Sequence, residues 1–233
     1  MKTTRTVACA TTLLLTAGAG GTGLAHEHHD NTKCYPCNAA DEVRSAGGRC
    51  WKAFNLGAAK IAASPTDAEA YGDLYQWGRP GDGHQSRTSA AVDTLSAGDV
   101  PGHASFILVN GTNYDWRTPA NDFLWRGLGA VNNPCPQGFR LPTQKEFEKE
   151  MKSWDSKDAE GAFASPLKLT LAGARGQSDG SIIWEGSTGL YWIGANRPGI
   201  PAWGTLALGI SSSSAKITDA ARATGLSVRC IKD

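Results

Sequence analysis

Three groups of residues in this sequence have the types and spacing to do chemistry. Cys34-Tyr-Pro-Cys37 has the spacing of a redox dithiol, which needs its first sulfur at a helix N-terminus after a strand. The polar residues before Cys34 supply no strand, so disulfide use is expected instead. His26-Glu27-His28-His29 has the donors to chelate a metal. With cleavage after Ala25, the amine of His26, two backbone amides and the His28 imidazole make a square-planar nitrogen set suited to Cu(II) or Ni(II). The third group lies between Ile193 and Gly225, where turn formers carry Asn196, Arg197, Ile200 and Trp203, followed by a serine run around Ser212. A tryptophan beside an arginine on a scaffolded loop holds a sugar ring or anchors a protein, by stacking and a polar fork. Trp192, inside the apolar run Leu190 to Ile193, reads as core.

Gly176-Gln-Ser178-Asp-Gly180 matches GxSxG as a string, but the strand-like Ile182 to Trp184 follows it where a nucleophile elbow needs a helix; Gly18 to Gly23 matches GxGxxG only within the apolar leader, and no HExxH or P-loop occurs in the chain. No constellation of nucleophile, base and orienting group emerges, and no cofactor is expected. A formal charge of +1 gives no electrostatic case for nucleic acid or acidic lipid. These absences favour a non-enzymatic binding or adhesion module over an enzyme.

Residues 1–25 read as a secretory signal, with Lys2 and Arg5 at the start, an apolar core from Val7 to Ala17, and Gly23-Leu24-Ala25 at the cleavage site. Removal takes the formal charge from +1 to −1. The expected organisation is a signal, a Cys/His-containing segment over 26–49 and a domain over 50–233. The expected location is secreted or at the cell surface, with the periplasm as a further compartment, and membrane contact only through export or surface attachment. Export favours disulfides among Cys34, Cys37, Cys50, Cys135 and Cys230. Cys135 and Cys230 are expected to pair, with one further bridge among the first three.

These groups need a scaffold, and 233 residues at 40% hydrophobic content are enough for one good core. The best-defined element is a helix opened by Thr143, with Glu146 completing a capping box and Phe147, Met151 and Trp154 along one face. An earlier helix is expected from Ser64-Pro65, of which only Tyr71 to Trp77 need be helical because Gly72 interrupts it. Trp51 to Leu56 reads as a buried strand, and residues 79–133 as irregular but ordered, with Trp116, Phe123, Leu124 and Trp125 holding them. Alternation at Leu167/Leu169/Leu171, Leu206/Leu208/Ile210 and Leu226/Val228/Cys230 predicts half-buried strands, joined by Ile182 to Trp184 and Leu190 to Ile193. The fold class is α+β, two helices with a short-stranded antiparallel sheet and long loops.

Tyr71 to Arg79 (YGDLYQWGR), Pro134 to Phe147 (PCPQGFRLPTQKEF), Leu190 to Ala195 (LYWIGA) and Gly225 to Asp233 (GLSVRCIKD) together resemble the ordered signature of the Fibrobacter succinogenes major paralogous domain family, over residues 50–233. That resemblance implies a C-type-lectin-like fold whose first and last strands pair, two flanking helices, and a ligand face on the loops between Tyr191 and Gly225. It also implies an exterior partner, glycan or protein. GFRLPTQKEFE is similar as well to a segment of formylglycine-generating and sulfatase-modifying enzymes, whose catalytic cysteine pair binds copper. The Glu-Pro-Asn, Gln-Pro-Asp and Trp-Asn-Asp motifs of calcium-dependent lectins do not occur.

Overall fold

Thirteen short strands and two α-helices make up the described residues, 37, 40–111, 114–194 and 204–233 of the computed structural model. In chain order the strands before the helices are β1 (Glu42–Arg44), β2 (Cys50–Lys52), β3 (Tyr75–Gln76), β4 (Ala91–Val92), β5 (Phe106–Ile107) and β6 (Phe139–Arg140). Helices α1 (Gln144–Lys152) and α2 (Ala159–Ala164) follow. The rest are β7 (Ala174–Arg175), β8 (Ile182–Ile183), β9 (Thr188–Trp192), β10 (Gly204–Ser211), β11 (Ala215–Ala221), β12 (Gly225–Leu226) and β13 (Ile231–Lys232). Apart from the parallel pair β4–β5, the sheets are antiparallel, in the orders β1-β2-β13-β6, β11-β10-β9 and β3-β12-β7-β8. The class is α+β. Strand β13 pairs with β2, so the last strand closes against the second.

Two cores lie on either side of the β9–β10 sheet. Tyr191, Ile193, Leu206, Leu208 and Ile210 face one, with Phe147 and Met151 of α1; Trp192 and Ala207 alternate into the other, with Trp77, Trp116 and Trp125. A sheet buried on both faces cannot present a polar side to water, which is why this stretch is almost continuously apolar. The expected capping box is present: Glu146 N donates to Thr143 Oγ1, and Thr143 N donates back to Glu146 Oε2 at 2.7 Å. Arg140 then grips both Glu146 oxygens, at 2.8 and 2.9 Å. Cys135 and Cys230 are bonded, and among the first three cysteines the bridge is Cys37–Cys50. Residues 40–49, grouped by sequence with the N-terminal segment, form β1 and its turn into β2.

The early helix is corrected. Residues Ala68–Ala70 make a single 3-10 turn, and Tyr75–Gln76 is a strand. Gly72 has φ +69, and a Cβ there would lie 2.6 Å from the Leu56 carbonyl oxygen, so this backbone is pressed against another segment. Its hydrogen bonds run outward, Asp73 N to Leu56 O and Leu74 N to Gln85 O. The second helix is instead α2, with Asp158 accepting from Gly161 N as its cap. Leu167, Leu169 and Leu171 are buried without belonging to a strand: Lys168 has φ +46, and Thr170 N donates to the Tyr191 hydroxyl. Ser227 and Arg229 are as buried as the apolar residues between them, so the run to Cys230 is enclosed rather than half-buried. Arg229 stays soluble in that interior by donating to Asn55 Oδ1 at 2.7 Å and Leu167 O at 2.6 Å.

Candidate functional site

Within the stretch from Ile193 to Gly225 the expected Leu206/Leu208/Ile210 strand is β10, and it is joined in a hairpin by β11, which no alternation indicated: the two pair from Gly204↔Ala221 to Ile210↔Ala215. Ser212 is exposed at its tip, beside a groove of about 170 Å3 lined by Thr188, Gly209, Ser211, Ser214, Lys216 and Thr218. Asn196, Arg197, Ile200 and Trp203 lie outside the described residues, as do His26, His28, Cys34 and the signal segment. Trp192 is core, as its neighbours indicate.

The residues flanking 195–203 lead into a second group of loops. A Cβ on Gly194 would come within 3.1 Å of the Trp125 carbonyl oxygen, and the Gly204 carbonyl accepts from Arg222 Nε. The first contact belongs to the long irregular region between β5 and β6, and Arg222, in the turn after β11, reaches the same region through Asp115 and Asp122. Indole N–H groups staple that region to the core. Trp116 donates to Trp77 O at 2.7 Å, Trp77 to Ile193 O at 3.0 Å, and Trp125 to Asn132 O at 2.7 Å. A buried indole needs one acceptor, and here each takes a carbonyl that lies outside regular structure. Arg222 stacks 4.8 Å from the Trp77 ring and pairs with Asp115 at 3.3 Å and with the Asp122 carboxylate. Burial pushes the Asp115 carboxyl up, against the opposing pull of the Arg117 amide and of Arg222.

On these loops and on the β4–β5 loop tied to them stand four of the six large apolar side chains that the described residues leave in water: Val100 at 55% exposure, Phe123 at 62%, Leu128 at 44% and Val131 at 80%. Their carriers are tied together. Asn132 Nδ2 donates to Asp99 O at 2.6 Å, Asn121 Nδ2 to Asp99 Oδ1 at 3.0 Å, and Asn132 N to Leu124 O at 3.2 Å. Arg126 lies 5.3 Å from the Phe123 ring. Phe123, expected to help order the segment from inside, faces outward, while Trp116, Leu124 and Trp125 are buried. No periodicity marks which aromatic of an irregular segment turns in, and Val100, Leu128 and Val131 carry no motif.

The arrangement suits desolvation against a partner rather than proton transfer. One pair has the look of general-base chemistry: Asp82 Oδ1 accepts from His84 Nδ1 at 2.6 Å. It is closed, because the Gln76 amide donates to His84 Nε2 at 3.0 Å and occupies the nitrogen a substrate would need. Burial pushes the His84 imidazole down to about 4. Asp82 is itself raised by burial, but the hydrogen bonds and charges of His84 and Arg79 outweigh this and hold it at about 2. Sulfur chemistry meets the same obstacle. All four described cysteines are in disulfides, so neither Cys37 nor Cys135–Cys230 offers a thiolate. Among the described residues the one cluster with metal-ligand spacing, Cys37, Glu42 and Cys50, contains the first of these bridges. No helix among the described residues is long and apolar enough to cross a membrane. No family model, curated protein or solved structure matches this chain.

Proposed function

We propose that this chain is an exported, non-enzymatic adhesion module on a C-type-lectin-like scaffold, and that it binds a protein partner through the β4–β5 loop and the loops between β5 and β6. The observation that carries the reading is the group of exposed apolar side chains Val100, Phe123, Leu128 and Val131 on loops locked by buried tryptophan and asparagine side chains. An aliphatic and aromatic surface on a rigid frame binds with little ordering entropy, and such patches mark interaction sites. Aliphatic side chains favour a protein over a sugar, whose rings want flat aromatic faces and paired polar groups. The scaffold reading is supported by two helices, mainly antiparallel sheets and paired first and last domain strands. Export is supported by the two disulfides.

A photo-crosslinking residue at position 131, with a control at exposed Lys145 on α1, tests the proposal on cells and matrix that meet the protein. Covalent capture of a discrete protein from position 131 and not from 145, abolished by Phe123→Ser with Leu128→Ser, is expected. Equal capture at both positions rejects the site.

A further inference from the structure

Far along the chain from those loops, one tryptophan stands in water for no structural reason. Trp184 follows β8, is 57% exposed and has φ +58, a left-handed conformation that bulky side chains avoid. The turn is over-determined. Ser187 N and Thr188 N both donate to Trp184 O at 3.0 Å, Ser187 Oγ does so at 2.9 Å, and Gly186 N donates to Leu171 O at 2.8 Å. Gly173 lets the neighbouring chain come close, since a Cβ there would sit 2.4 Å from Ile183 O. The frame therefore holds a strained indole outside the core, although a glycine at 184 would relieve the backbone.

A group of charged side chains begins at the next residue. Glu185, itself half-exposed, accepts from Arg87 Nη2 at 2.6 Å. The guanidinium is anchored by Ala172 O at 2.8 Å and Gly72 O at 3.3 Å and stacks 5.5 Å from the Tyr71 ring, leaving its Nε–H and one Nη1–H without a hydrogen-bond partner among the described residues. Asp73 interacts with the same arginine from over Gly57, where any Cβ would approach its carboxylate to 2.4 Å, and it makes no side-chain hydrogen bond among the described residues. Burial raises the Asp73 carboxyl, with Arg87 opposing.

We infer that Trp184, Glu185, Arg87 and Asp73 form a second binding site, for a neutral pyranose unit of a polysaccharide. A bare cation would meet Arg87, and a bare anion would meet two carboxylates; a ring with alternating hydroxyl donors and acceptors satisfies all three charged groups at once. The apolar face of such a ring is what an exposed, pre-positioned indole takes by stacking. This site is independent of the protein-docking loops.

The test uses the full exported chain with four probes: cello-, xylo-, manno- and chito-oligosaccharides at millimolar concentration, followed by isothermal titration and by tryptophan fluorescence. At least one probe is expected to bind. Trp184→Gly should reduce its affinity by about tenfold or more while leaving the melting temperature unchanged or raised, because glycine accepts the backbone that tryptophan strains. Glu185→Gln should weaken binding with the fold intact, and Phe123→Ser with Val131→Ser should leave it unchanged. If none of the four oligosaccharides binds, or if Trp184→Gly binds as tightly as the parent, the inference fails.

Discussion

The Nε1–H of Trp125 donates to the carbonyl oxygen of Asn132 at 2.7 Å, closing the loop that carries Leu128 and Val131 back onto the core. Trp125→Phe keeps most of the ring volume and leaves that buried carbonyl without its donor, which should destabilise by about 2 kcal/mol. Hydrogen exchange should accelerate locally over residues 126–132. Uniform acceleration across the whole chain instead would mean that this bond does not govern the loop.

Loss of the Cys135–Cys230 bridge should be severe. Its ends are 95 residues apart, and loop-closure entropy alone assigns it about 4 to 5 kcal/mol. In a chain of this size Cys230→Ser should lower the melting temperature by roughly 10 °C or more. Non-reducing peptide mapping that finds Cys135 joined to Cys37 or Cys50 would contradict the pairing.

Stability should fall on acidification through His84. In the folded protein the imidazole stays neutral to about pH 4, whereas in the unfolded chain it protonates near 6.5. As pH drops the unfolded chain takes the proton first, so this contribution is complete above about 6.5 and is lost towards 4. Asp82 opens a second window from 3.8 to about 2, again with stability lost as pH falls. Urea midpoints should follow the first slope in the parent and lack it in His84→Gln. A ring NMR titration centred near 6.5 in the folded protein would contradict the closed Asp82–His84–Gln76 arrangement.

Thr143→Ala should lower stability by about 1 kcal/mol, since it removes the acceptor of the Glu146 amide at the start of α1. Thr143→Ser should restore most of that loss. Equal stability of alanine and serine variants would show that Arg140 and Glu146 suffice to hold this helix end.

What could be read from residue order follows the range of the forces involved. The Thr143–Glu146 box and the Phe147/Met151 face are local, and α1 begins where they indicate. The Cys135–Cys230 bridge is legible because these two cysteines lie far from the N-terminal three and Cys230 falls on the apolar side of the Leu226/Val228/Cys230 alternation. By contrast, the Ser64-Pro65 signal was overridden by distant partners, with Leu56 O and Gln85 O taking the amides that a helix would have used. Strand β11, Ala215–Ala221, escaped notice because its apolar residues are small and its pairing with β10 lies across a serine turn that looks like loop. The candidate sites were less legible still. Trp125 turns inward where its indole N–H finds the Asn132 carbonyl, a donor that Phe123 lacks, and Trp184 looks like any strand-end aromatic until its φ and exposure are known.

The most direct test of the adhesion reading is the crosslinking comparison at position 131 against position 145, made in the parent and in the Phe123→Ser, Leu128→Ser variant. The account predicts one discrete protein captured from 131 alone and lost in a variant that melts like the parent. Capture that persists undiminished in that folded variant would contradict it.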